Sequence, residues 1–312
     1  MNTYQKINEI IENVEKVILG KKDVISLALA AMLSEGHILF EDVPGVGKTI
    51  LARSLARSID CSFKRIQFTP DLMPSDVTGA NIFNQKESEF EFVRGPIFSQ
   101  VVLADEINRA TPRTQSSLLE SMAEDQVTVE GTRYGLPSPF LVMATQNPVE
   151  YDGTFPLPEA QLDRFLIKLE MGYPDLKDEV RILDSQQYQH PIEELEPVVS
   201  PEEFVKIQGE VKDTHIKPGL KEYIVKIVRE TRNHSALQLG VSPRGSLGIY
   251  RMSRSRAVIK SRDYVIPDDI KAVAPYVLKH RMRLKSDSKL RGRNKTDIIK
   301  SIIRQIEVPD GV

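Results

Sequence analysis

The sequence predicts an α/β fold: a five-stranded parallel sheet between helices, interrupted by two β-hairpin insertions and followed by a small α-helical domain. Five short apolar runs separated by helical patterns predict the sheet: His37-Ile38-Leu39-Phe40, Phe63 to Phe68, Val101-Val102-Leu103-Ala104, Phe140 to Ala144 and Phe165-Leu166-Ile167. Strands covered on both faces read in this way, as continuous apolar stretches. A glycine loop, Asp42-Val43-Pro44-Gly45-Val46-Gly47-Lys48-Thr49, follows the first run and leads into Ile50 to Leu55, so strand, loop and helix come in that order. After Tyr173-Pro174 the strand signals stop and helical stretches take over.

With 312 residues, 40% hydrophobic and 28% charged, the chain suits two globular domains with a sizeable core. The acidic, proline-bearing connector His190 to Pro197 divides an α/β domain over 1–190 from a helical domain over 191–312. A net charge of −2 argues against a general nucleic-acid or membrane-surface role. The first residues lack the basic-then-apolar order of a secretory signal, and no apolar run approaches the roughly 20 residues of a membrane helix. Cytoplasmic location without membrane insertion is therefore expected. Cys61 is the single cysteine, flanked by apolar residues, and reads as a buried thiol. The histidines stand singly, so no zinc site is expected.

Taken in order, Ile7, Ile10, Ile11, Val14 and Val17 recur at spacings of three and four, the stripe of an amphipathic helix, and a second helix covers Lys22 to Leu33. The glycine loop comes next. Its closing Gly-Lys-Thr fits a phosphate cradle built from Pro44, Gly45, Val46 and Gly47, with Lys48 reaching the β- and γ-phosphates and the Thr49 hydroxyl on Mg²⁺. Asp42 stands where the usual pattern has glycine, and an acid there is unfavourable unless its side chain turns away or caps a turn. Ile18, Leu19 and Gly20 at the end of the first helix could line an adenine base; plain core packing is the alternative.

The Val101 strand closes on Asp105-Glu106, paired acids at a strand end. Asp105 is placed to hold Mg²⁺ through water and Glu106 to act as general base toward an attacking water. Acids also cap ordinary strand ends, but here a Gly-Lys-Thr loop precedes them in the order one Mg²⁺-nucleotide site requires. Asn147, after the next strand, could orient that water, or simply make an Asn-Pro turn with Pro148. Arg164, leading into the last strand, could reach a phosphate of its own or a neighbouring subunit, or sit in a surface ion pair. Asn81-Ile82-Phe83 with Phe90 to Val93, and Gln126 to Val129 with Thr132 to Tyr134 around Glu130-Gly131, read as β-hairpins. They are working loops or helix covers.

Beyond Asp175 to Gln189, the stretches Pro201 to Val211, Leu220 to Asn233, Arg244 to Ser261, Pro267 to Arg281 and Thr296 to Ile306 read as helices, started by Ser200, Ser242 and Pro267. Arg244 at one such start could close over the γ-phosphate. Residues 244–304 hold 17 Lys or Arg against 5 Asp or Glu, but few aromatics are interleaved for base stacking, so a solvated or protein-facing surface is the better reading.

These runs together, with Arg109-Ala110-Thr111-Pro112 and Pro158 to Phe165, resemble AAA+ ATPases, and most closely the MoxR branch. The resemblance covers nearly the whole chain, and that branch carries an acid at the position of Asp42. It implies that Lys48 and Thr49 are the Walker A residues, Asp105 and Glu106 the Walker B pair, Asn147 sensor 1 and Arg244 sensor 2. Arg164 sits where an arginine finger serving the next subunit is expected, with Arg109 and Arg113 also near a plausible subunit edge. The hairpins look like the helix-2 insert and the pre-sensor-1 hairpin. ATP and Mg²⁺, a homo-oligomeric ring, commonly a hexamer, a partner with a von Willebrand factor A domain and chaperone-like remodelling are further implications. The rival readings are a DNA-dependent motor and a nucleotide-gated scaffold with negligible turnover.

Overall fold

In the computed structural model, residues 2–147 and 153–309 are described; Pro148 of the expected Asn-Pro turn lies outside them. Two helices, α1 (Thr3–Glu15) and α2 (Lys22–Leu33), precede strand β1 (Ile38–Glu41), which the glycine loop joins to α3 (Lys48–Ser58). Strand β2 (Phe63–Gln67) and the short α4 (Pro74–Thr78) lead into the hairpin β3 (Gly79–Asn84) and β4 (Glu89–Arg94). Next come β5 (Val101–Asp105), α5 (Pro112–Glu124), the hairpin β6 (Gln126–Val129) and β7 (Thr132–Gly135), and β8 (Leu141–Gln146). Short helix α6 (Glu159–Leu162) and strand β9 (Ile167–Leu169) end the sheet, and α7 (Leu176–Ser185) follows.

The five strands lie in the order β2-β5-β8-β1-β9, all parallel. Parallel pairing puts their carboxyl ends together, with Gln67 opposite Asp105 and Glu41 opposite Gln146. The alternating strand residues feed two cores. Ile38, Phe40, Val101, Leu103 and Met143 face α1, α2 and α3, whereas Leu39, Val102, Ala104, Val142 and Ala144 face Leu118, Leu119 and Met122 of α5. Full burial of each Leu, Ile or Val contributes about 1.5–3 kcal/mol, so the two cores explain why these short runs fold as central strands. Cys61 is buried in the first core, and burial pushes its thiol up to about 12.

The helical part comprises α8 (Pro201–Lys212), α9 (Pro218–Asn233), α10 (Pro243–Ile259), α11 (Pro267–Leu278), α12 (Ser286–Leu290) and α13 (Lys295–Gln305). Ser200 caps α8 in a box with Glu203, and Ser242 caps α10. This part shares the first core, because α10 packs on α2, where the Ser34 and Ser255 hydroxyls meet at 2.7 Å. Two details differ from expectation. Strand structure does not stop at Tyr173: β10 (Leu237–Leu239) pairs antiparallel with β11 (Arg283–Leu284), a ladder too short to display period-two alternation. The helix expected to reach Gln189 ends at Ser185: none of its residues is buried and Gln186 to Gln189 are exposed, so no packing extends it further.

Candidate active site

The glycine loop turns tightly between β1 and α3. Gly45 and Gly47 have φ of +83° and +92°, conformations that side chains with a Cβ resist. Gly47 is the N-cap of α3 and supplies no side-chain cap, so the first N–H groups of that helix face the cleft without a capping oxygen. Lys48 folds back on the loop, its Nζ donating to the Asp42 and Val43 carbonyls at 2.8 and 2.9 Å. Partial burial lowers its pKa, while Asp42, Asp105 and Glu106 pull the other way.

The structure accounts for Asp42. Its carboxylate turns onto backbone, accepting the Val43 N–H at 2.8 Å and the Gly172 N–H at 2.7 Å. The acid thereby fastens the loop to the chain leaving β9 and spends its lone pairs on fixed donors.

At the end of β5, Asp105 Oδ1 accepts the Thr145 hydroxyl at 2.6 Å, and Oδ2 accepts Arg65 Nε and Nη2 at 2.9 and 2.7 Å. Thr145 in turn accepts the Glu106 N–H at 2.8 Å, locking β5 to β8 where the acids project. Glu106 has φ of +56°, a left-handed conformation that costs a non-glycine residue energy and turns its carboxylate out of the strand direction. That carboxylate accepts the Gln67 amide at 2.7 Å and Arg109 at 3.0 Å.

A cavity of about 370 Å³ is lined by Lys48, Thr49, Arg65, Asp105, Glu106 and Asn147 among others. The geometry thus gathers the loop lysine, the threonine, both acids and the asparagine. Ile18, Leu19 and Gly20 do not line it: Ile18 is buried in the core, and Gly20 packs so closely on Asp178 of α7 that a Cβ would overlap its carboxylate. Arg164 and Arg244 also lie elsewhere. They line a separate cavity of about 290 Å³ with Asp163, Arg251 and Arg281, where Arg164 donates to the Leu119 carbonyl and Arg244 approaches Asp163 at 3.9 Å. Arg109 reaches Glu106 of its own chain, and Arg113 is exposed at the start of α5. Sequence reasoning passed over Arg65 and Gln67. Their signal was two long polar side chains two residues apart, hence on one face, at the carboxyl end of the strand Phe63–Gln67.

Comparison with known proteins matches residues 37–167 to the ATPase family associated with various cellular activities (AAA) and residues 229–302 to an AAA lid domain. The protein YeaC of Bacillus subtilis is 54% identical over 97% of this chain and 95% of its own length. Chaperone MoxR1 of Mycobacterium tuberculosis is 40% identical over 95% of this chain and 80% of its own. A crystal structure from Cytophaga hutchinsonii, assigned as an ATPase, superimposes with a TM-score of 0.93 at 40% identity, covering 99% of this chain and 96% of that one. With the loop, the paired acids and the lid in one molecule and relatives of this identity along its length, the chain belongs to the MoxR family of AAA+ ATPases.

Proposed function

We propose that the protein is a Mg²⁺-dependent ATP hydrolase of the MoxR type whose turnover drives remodelling or maturation of a partner protein. The observation that carries this reading is the meeting of Lys48, Thr49, Asp105 and Glu106 on one cavity. The donor set suits the cation: the Thr49 hydroxyl and the Asp105 carboxylate are hard oxygen donors of the kind that would hold Mg²⁺. The cation held there would supply charge neutralisation for the polyphosphate.

The chain's own residues do the rest. The loop N–H groups and Lys48 bind the polyphosphate, and Thr49 and Asp105 hold the cation. Glu106 accepts a proton from water, Asn147 orients that water, and Gln67 and Arg109 aim the Glu106 carboxylate. Arg164 and Arg244 share a cavity away from this cleft, which supports both acting on the nucleotide of an adjoining subunit in a ring, proposed to be a hexamer.

Remodelling is supported by the name of the relative Chaperone MoxR1. A von Willebrand factor A domain protein is the proposed partner class. Against the DNA-motor reading, Arg256, Arg262, Lys271, Lys279, Arg281 and Arg283 of the basic segment are committed to ion pairs within the chain. Among the described residues no helix is long and apolar enough to cross a membrane, and the proposed working place is the cytoplasm.

Replacing Glu106 by Gln tests the hydrolase reading. It is expected to keep ATP binding and lower phosphate release by at least about 100-fold, the usual scale for removing a general base. Unchanged phosphate release would remove Glu106 from the chemistry. A wild type with no turnover in the presence of its partner would instead favour the scaffold.

A further inference from the structure

Both oxygens of Asp105 are engaged, Oδ1 by the Thr145 hydroxyl and Oδ2 by two N–H groups of Arg65. A carboxylate offers about four lone-pair directions, so three are taken. The same guanidinium donates to Gln67 Oε1 at 2.5 Å, and the amide at the other end of Gln67 donates to Glu106 at 2.7 Å. One cation therefore joins both acids of the site. Its side chain is 49% exposed, against 14% for Asp105, so the guanidinium has room to move while the carboxylate stays fixed.

We infer that Arg65 exchanges partners during nucleotide loading: it is the countercharge of Asp105 until the divalent cation takes that carboxylate, and it then contacts the polyphosphate. The inference rests on the cavity being the Mg²⁺-nucleotide site. Two cations on one carboxylate repel, and the one with half its side chain in water yields. Arg65 borders the same cavity as Lys48 and Thr49, so a phosphate oxygen is the nearest new anionic partner, and a planar guanidinium suits it.

The test is calorimetric binding of ATPγS in EDTA and in Mg²⁺, comparing wild type with Arg65→Gln and Arg65→Lys. In EDTA, Arg65→Gln is expected to bind about tenfold more weakly, because Asp105 is left without its countercharge and repels the polyphosphate. Its Mg²⁺-dependent gain in affinity is expected to exceed that of wild type by about tenfold, because the cation both removes that repulsion and meets no resident guanidinium to release, which together outweigh the one phosphate contact the variant lacks in Mg²⁺. Arg65→Lys, which keeps the charge, should hold the gain within about threefold of wild type. An equal gain in Arg65→Gln and wild type overturns the exchange, including the uniform weakening that a damaged cleft would give. A wild type that fails to bind ATPγS in either buffer overturns the nucleotide-site reading itself, whereas binding with an unchanged gain defeats the exchange alone.

Discussion

His37 and His280 are enclosed by protein, and burial lowers the pKa of both below the ordinary 6.5. His37 bridges two elements: its Nδ1 accepts the Val142 N–H at 3.0 Å, so Nε2 carries the hydrogen and donates to the Met122 carbonyl at 2.9 Å. Protonating the ring would put a second hydrogen against a backbone N–H. Around His280, Arg281, Lys168 and Lys279 add to the burial effect in opposing a charge. A depressed folded pKa stabilises the fold above the unfolded value and loses that stabilisation as pH falls below it. Unfolding free energy is therefore expected to fall below pH 6.5 by up to about 1.4 kcal/mol per pH unit for each histidine. Urea denaturation at a series of pH values, repeated on His37→Gln, checks this; an identical pH slope in the variant would exclude His37. That the lysine, threonine and paired acids meet on one cavity was legible in sequence because short contiguous motifs place them at strand ends. The partners of Asp42 and Arg65 were not. The Asp42 partner Gly172 lies 130 residues away, and the Arg65 partner Asp105 lies 40 away, so only the strand order brings them together.

The two hairpin insertions form one unit. Phe92 of β4 stacks on Tyr134 of β7 with ring centroids 4.1 Å apart, and Asn81 of β3 donates to Glu130 at 2.6 Å. The tip of the first hairpin carries an exposed pair, Phe83 and Phe90, packed edge to face, that no core residue supports. Its stability depends on its root and on the second hairpin. An aromatic stack contributes about 0.5–1.5 kcal/mol beyond area burial. Tyr134→Ala is accordingly expected to speed amide exchange in β3 and β4 by about two- to tenfold while leaving β5 and β8 unchanged. Hydrogen exchange resolved by mass spectrometry measures this, and unchanged exchange in β3 and β4 would mean that the hairpins are not coupled. Both hairpins were readable from period-two alternation around polar turns, down to Glu130-Gly131 with φ of +47° and +84°. Their mutual contact was not, since alternation fixes which face a residue occupies but not which neighbour meets that face. The β10–β11 pair escaped for a different reason: two or three residues per strand hold too few alternations to be distinguished from helix ends.

At the scale of the whole molecule the arginines divide into two groups. Arg65 and Arg109 serve the acids of their own cleft, whereas Arg164 and Arg244 border the other cavity. The backbone beside Arg164 is clamped from the helical part: Arg281 donates to Asp163 Oδ1 at 2.7 Å, to the Phe165 carbonyl at 2.6 Å and to the Leu166 carbonyl at 3.0 Å. Ser242, the cap of α10, donates to the same Asp163 at 3.0 Å. Arg164 from the sheet and Arg244 from the lid are thus held in one frame. From sequence, Arg244 at a helix start was expected over its own γ-phosphate, because a linear reading cannot tell which side of the sheet a later helix covers. If the frame meets a neighbour's nucleotide, each complete site takes Glu106 from one subunit and both arginines from the next. Glu106→Gln and Arg164→Ala are each expected to be inactive alone, yet a mixture should recover activity, with about a quarter of interfaces complete in a random equal ring. Glu106→Gln mixed with Arg244→Ala should recover likewise. Arg164→Ala mixed with Arg244→Ala should not, since every interface then lacks one arginine. Recovery in that last mixture, or none in the second, would return Arg244 to its own subunit's cleft.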